Sequence, residues 1–152
     1  MCCLQTEGVQ RGLARGGRLL LADEPGLGKT VQALALLAAF RDEWPALIIC
    51  PKALRDMWAD KAHEWLRLPA RDVAVACKEQ ELVLACERSI KVVIVSYDLI
   101  RAAAAAVSVQ QAAFQVVVCD ESHYLKNATV RSRHRLPSHF CEALRDARSC
   151  AL

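Results

Sequence analysis

No apolar run in this sequence is long enough to cross a bilayer. The longest, Val31 to Phe40 and Ala102 to Val107, fall well short of the roughly 20 residues that a spanning helix needs. Met1 to Gln10 lacks the basic start and apolar core of a secretory signal. The expectation is therefore a cytosolic or nuclear protein without a membrane partner. Metal-binding spacings are missing too: among 8 cysteines and 4 histidines there is no Cys-x-x-Cys pair and no His-x-x-x-His, so zinc is not expected. Cys50 and Cys119 instead close aliphatic runs, which reads as free, buried thiols rather than a disulfide scaffold. Internal repeats are absent, and the alanines at 102–106 form the one low-complexity patch.

What is present is a chain of 152 residues with 54% hydrophobic side chains, enough for one domain with a sizeable core. Strand-length aliphatic runs alternate with helical patterns, the signature of βαβ units around a parallel sheet. Strands are predicted over Arg18 to Ala22, Leu47 to Cys50, Val73 to Cys77, Val92 to Ser96 and Val116 to Cys119. Helices are predicted over Thr30 to Phe40, Ala53 to Leu66, Lys78 to Glu87 and Leu99 to Ala113. The fold class is α/β.

Beyond about Arg131 this alternation fails, and the reading divides the chain into a domain over 1–131 and a divergent, disordered tail over 132–152. The net charge of +3 comes from residues 131–152, where Arg131, Arg133, Arg135, Arg145 and Arg148 outnumber Glu142 and Asp146. Basic side chains can meet phosphates. No aromatic residue alternates with these arginines, which favours a solvated end.

Chemistry enters with Gly26-Leu27-Gly28-Lys29-Thr30, between a predicted strand and a predicted helix. The strict phosphate-loop pattern begins with glycine where this chain has Asp23. Gly26 and Gly28 still allow a tight turn with inward amides, and the following helix adds its positive end. In this reading Lys29 reaches the β- and γ-phosphates of ATP, and Thr30 ligates Mg2+. Pro25, which has no N–H to donate, stiffens the entry.

A second motif, Asp120-Glu121-Ser122-His123, follows the strand at 116–119. Carboxylates at the carboxyl end of a buried parallel strand lie where such sheets bind ligands. Asp120 is expected to hold Mg2+, and Glu121 to orient the water that attacks the γ-phosphate. His123 is a candidate for coupling nucleotide state to the rest of the molecule.

Taken together, residues 21–30 and 120–127 resemble the first, RecA-like lobe of SWI/SNF-related superfamily-two helicases, over about residues 4–133. Methionine usually stands where this chain has Pro25. The resemblance implies that Gln5, with Gly8 and Val9 behind it, reads adenine. It also implies that Ile48-Ile49-Cys50-Pro51, with Leu54, Trp58 and Trp65, forms the segment whose loop approaches the DNA backbone, although helix packing is the preferred reading of both tryptophans. Val95-Ser96-Tyr97 is similar to a later segment facing nucleic acid. Asp120 to Asn127 is most similar to the annealing-helicase branch, which rewinds DNA and remodels stalled forks, implying a nuclear location and replication or repair partners.

The family pattern then continues into a helix and a strand ending in Ser/Thr-Gly-Thr-Pro, and into a second lobe that supplies arginines to the transferring phosphate. This sequence shows neither, and the lobe is read as incomplete. Uncovered sheet edge and marginal stability are therefore expected. The alternatives are a non-catalytic nucleotide-binding or interaction protein and a P-loop ATPase acting on RNA or protein.

Overall fold

The computed structural model describes residues 2–24, 26–88, 90–101, 114–122 and 148–152. The expectations for Pro25, for the alanine-rich helix beyond residue 101, for His123 and residues 124–127, and for Arg131, Arg133, Arg135 and Arg145 lie outside them.

Three continuous apolar runs build the centre of the fold: β2 (Ala46–Cys50), β4 (Val92–Ser96) and β5 (Val116–Cys119), buried throughout. Strands apolar on both faces need helices on both faces, and the chain supplies them. With β1 (Leu19–Leu20), β3 (Val73–Val75) and β6 (Arg148–Ala151), they form one parallel sheet in the order β1-β6-β5-β2-β4-β3. Ile48 pairs with Ile94 on one side and with Val118 on the other.

Side chains alternate across the sheet as the two-residue strand period demands. Ala46, Ile48, Cys50, Val92, Ile94, Val116 and Val118 pack with residues of α2 (Lys29–Ala39) and α3 (Arg55–Leu66). Leu47, Ile49, Val93, Val95, Val117 and Cys119 pack with α4 (Glu79–Glu87) and α5 (Tyr97–Arg101). Cys50 and Cys119 are buried, and neither is in a disulfide. Burial pushes the Cys50 thiol up to about 12, the neighbouring Asp120 charge adding to the rise. Among the described residues no helix is long and apolar enough to cross a membrane.

Two elements depart from the sequence reading. The amino-terminal segment forms a helix, α1 (Cys3–Ala14), packed against α2. Its Gly8 lies so close to α2 that a Cβ there would meet Gln32 Oε1 at 1.9 Å.

The second departure corrects the disordered tail. Residues 148–151 form β6, which pairs with β1 on one side and β5 on the other. Leu152 is buried behind it, and its amide donates to Cys119 O at 2.9 Å. Arg148-Ser149-Cys150-Ala151 lacks a strand's usual apolar run, so periodicity does not announce it; pairing along both neighbours supplies the stabilisation instead. The Ser/Thr-Gly-Thr-Pro tetrapeptide is not in the sequence. Among the described residues the sheet's edges are β1 and β3, both short, which limits the exposed backbone that an uncovered edge presents.

Deleting residues 148–152 should therefore destabilise the chain by several kcal/mol, since backbone pairs contribute about 1 kcal/mol each and a buried leucine about 2 kcal/mol. Urea unfolding of the full and shortened chains measures this. Equal midpoints would contradict the placement of β6.

Candidate functional site

The site lies at the carboxyl ends of β1 and β5. After β1 the backbone enters residues 23–28, with positive φ at Gly26 (+88°) and Gly28 (+81°). Gly28 caps α2 from a left-handed conformation, and its carbonyl accepts from the amides of Val31 (3.0 Å) and Gln32 (3.2 Å). A helix start leaves its first amides without intrahelical partners. Those of Lys29 and Thr30 therefore stand at the positive end of α2, a setting that favours an anion.

Lys29 folds back over this loop. Its Nζ donates to Asp23 O at 2.7 Å and to Glu24 O at 3.2 Å. Asp23, which replaces the first glycine of the strict pattern, also has a role: its Oδ2 accepts from Gln32 Nε2 at 3.0 Å, tying the loop entry to α2. Gln32 is buried and its Oε1 has no hydrogen-bond partner.

Gln5 reaches the loop from α1. Its Oε1 accepts from Cys2 N at 3.0 Å and its Nε2 donates to Leu27 O at 3.3 Å. A Cβ at Gly28 would lie 2.3 Å from Gln5 Nε2, so the bare glycine is what lets the amide approach. The structure therefore brings Gln5, Gly26, Gly28, Lys29 and Thr30 together. Reading a base edge would require Gln5 to exchange at least one of its two bonds.

Across the site, β5 delivers Asp120. Its backbone is held at both ends, the amide donating to Ile49 O at 2.8 Å and the carbonyl accepting from Tyr97 Oη at 2.7 Å. Its carboxylate is held twice as well. Oδ2 accepts from Trp58 Nε1 at 2.8 Å, and Oδ1 from the Glu121 amide at 2.9 Å. Burial raises the Asp120 carboxyl above its ordinary range; these two donors oppose the rise, the Glu121 charge adds to it and the Lys29 charge draws it down.

Glu121 is exposed at φ +52°, a left-handed conformation uncommon for a non-glycine residue. The next residue explains how it is kept: the Ser122 amide donates to Leu152 O at 2.8 Å. The segment behind β6 thus fastens the turn that carries Glu121. Local backbone strain at a carboxylate on a strand end is a frequent mark of function.

Two expectations need correction. Tyr97 does not face outward; it is buried, with its hydroxyl spent on Asp120, because residues after β4 turn directly into α5 beneath the sheet. Burial holds its phenol well above its usual range. The tryptophans also divide. Trp58 is fully buried, in packing and in a bond to the acidic motif, whereas Trp65 is 43% exposed. The sequence did carry a signal for the first, since a buried indole N–H needs an acceptor.

The chemistry of this donor set fits a magnesium-bound polyphosphate. A left-handed glycine turn, an ammonium and a helix start suit the phosphates; a threonine hydroxyl and a buried aspartate suit a hard cation.

The SNF2-related domain model matches residues 5–143. The chain belongs to this family. Curated relatives include the SWI/SNF-related matrix-associated actin-dependent regulator of chromatin subfamily A-like protein 1 of Xenopus tropicalis, 38% identical over 88% of this chain and 14% of that protein. Another is the DNA annealing helicase and endonuclease ZRANB3 of Homo sapiens, 38% identical over 88% of this chain and 12% of that protein. This SNF2-related chain spans about one-eighth to one-seventh of the length of these relatives. Among solved structures, the Sulfolobus solfataricus SWI2/SNF2 ATPase core in complex with dsDNA superposes with a TM-score of 0.68 at 19% identity, covering 98% of this chain and 30% of that one. A hypothetical ATP-dependent RNA helicase from Sulfolobus tokodaii gives 0.71 at 13%, covering 98% and 44%. The fold is therefore RecA-like.

Proposed function

We propose that this chain is the nucleotide-binding part of an ATP-dependent motor that moves on duplex or branched DNA. The observation that carries it is the convergence of Lys29 and the glycine turn from one strand end with the pinned Asp120 and Glu121 from another. The names of the relatives, a DNA annealing helicase and endonuclease and a regulator of chromatin, support DNA as the partner; a nuclear location and a setting among replication or repair proteins belong to the same proposal.

In this reading Gly26, Gly28 and the first amides of α2 cradle the phosphates, and Lys29 exchanges two loop carbonyls for phosphate oxygens. Gln5 holds the loop and reads the adenine edge. Thr30 and Asp120 hold Mg2+, which when bound neutralises charge developing on the transferring phosphoryl group. Glu121 orients the attacking water and accepts its proton. For the chain by itself the proposal is binding. Fast turnover is proposed for a protein in which a second lobe closes over the nucleotide and supplies arginines, an effect worth about a thousandfold or more.

Titration of the 152-residue chain with a fluorescent ATP analogue tests the binding. Turnover by a two-lobed form tests the rest: stimulation by duplex or forked DNA supports the proposal, and stimulation by RNA alone overturns the DNA assignment. In that two-lobed form Glu121→Gln should lower kcat by about a hundredfold or more while nucleotide affinity stays near wild type. Undiminished hydrolysis would remove Glu121 from its role.

A further inference from the structure

The Asp120 carboxylate is held by two donors, and one of them comes from an element outside the two nucleotide motifs. Trp58 lies on α3, 62 positions away in sequence, in the core layer formed with α2 and the sheet. Its indole is fully buried, so its rotamer is set by packing and its N–H direction follows.

We propose that Trp58 is a positioning residue that fixes how the Asp120 carboxylate presents itself to a bound divalent cation, which makes magnesium-dependent nucleotide affinity depend on α3. The inference rests on the phosphate-site reading above.

A carboxylate on a strand end turns about its terminal torsion, whose well is broad, and offers a cation several orientations. Here each oxygen has one donor: Glu121 N on Oδ1 and Trp58 Nε1 on Oδ2, at 2.9 and 2.8 Å. Two donors from different elements leave the carboxylate plane a single setting. Each oxygen has about two acceptor sites, so one on each remains for a cation or its water.

The chemistry of indole suits this task. It is a donor with no acceptor lone pair, so it cannot compete with Asp120 for the cation. The backbone is secured by Ile49 O and Tyr97 Oη, which leaves the carboxylate torsion to the Trp58 and Glu121 donors. Loss of such a partner behind a metal ligand typically costs about 10–100-fold in metal affinity.

The test measures binding of a fluorescent, non-hydrolysable ATP analogue to the 152-residue chain and to Trp58→Phe, each with magnesium and with EDTA. Trp58→Phe should leave the EDTA affinity within about twofold of wild type and lose about tenfold or more of the gain that magnesium brings. An unchanged magnesium gain in Trp58→Phe would overturn the positioning role while leaving the phosphate site intact. Absence of nucleotide binding by wild type in both conditions would overturn the site and this inference together.

The unmutated chain gives a second measurement, independent of how well the variant folds. Of its 3 indole N–H resonances, assigned with Trp44→Phe and Trp65→Phe, that of Trp58 should shift when magnesium joins the nucleotide-bound chain. The other two should stay in place. A stationary Trp58 resonance overturns the proposal.

Discussion

Lys29→Ala should weaken nucleotide binding by the isolated chain on the order of a hundredfold or more. The Lys29 ammonium lies on Asp23 O and Glu24 O, neutral acceptors on the loop proposed to hold the phosphates. Charge-assisted hydrogen bonds contribute about 1.5–3 kcal/mol each. Two bonds to phosphate oxygens therefore amount to about 3–6 kcal/mol, and each 1.4 kcal/mol is about tenfold in affinity. Stability should change little, because the bonds lost in the unliganded variant lie at the exposed loop. Titration of a fluorescent ATP analogue against both proteins, with urea unfolding alongside, checks the two statements. Matching affinities would remove Lys29 from the phosphate site.

The largest effect on stability is expected for Trp58→Ala. Removing a buried tryptophan side chain typically costs about 3–5 kcal/mol in lost transfer energy and cavity, and leaving an oxygen of Asp120 without its donor adds about 1–3 kcal/mol. Domains of this size have roughly 5–15 kcal/mol in all. Cooperative unfolding should be lost or moved to much lower urea, whereas Trp58→Phe, which keeps most of the packing, should lie between. A Trp58→Ala chain within about 1 kcal/mol of wild type would show that the indole contributes neither packing nor a hydrogen bond of consequence.

These two residues also mark how far the sequence carried. The turn that carries Lys29 was legible because it is local: glycines, cation and hydroxyl are consecutive, and a strand and a helix flank them. The strands β2, β4 and β5 were legible because burial on both faces forces unbroken aliphatic runs. Trp58 was legible as a core residue from its spacing on α3, but its bond to Asp120 joins positions far apart in sequence, and nothing in the helical period specifies an acceptor. The burial of Tyr97 was hidden for the same reason, since a resemblance of Val95-Ser96-Tyr97 to a segment facing nucleic acid says nothing of a hydroxyl bonded to Asp120 O.

Elsewhere local pattern and tertiary structure disagree. α1 has an exposed Leu4 and Leu13 and no strong apolar stripe; its place is set by Gly8 against Gln32 and by Gln5 on the phosphate loop. β6 reads as Arg-Ser-Cys-Ala, a composition that periodicity assigns to no strand. It forms because β1 and β5 offer open backbone on either side.

The order of the sheet also dictates an order of assembly. Among the described residues β1, the strand that leads into the glycine turn, touches the rest of the sheet only through β6, and Leu21 N donates to Ala151 O at 2.7 Å. Ribosomes release a chain from its amino end, so β2, β4, β3 and β5 can pair while β1 still has no neighbouring strand. The entropy of closing so long a loop falls on that final step. During synthesis, the loop at 23–28 should thus resist proteolysis only after β6 has emerged, although β1 precedes the other described strands.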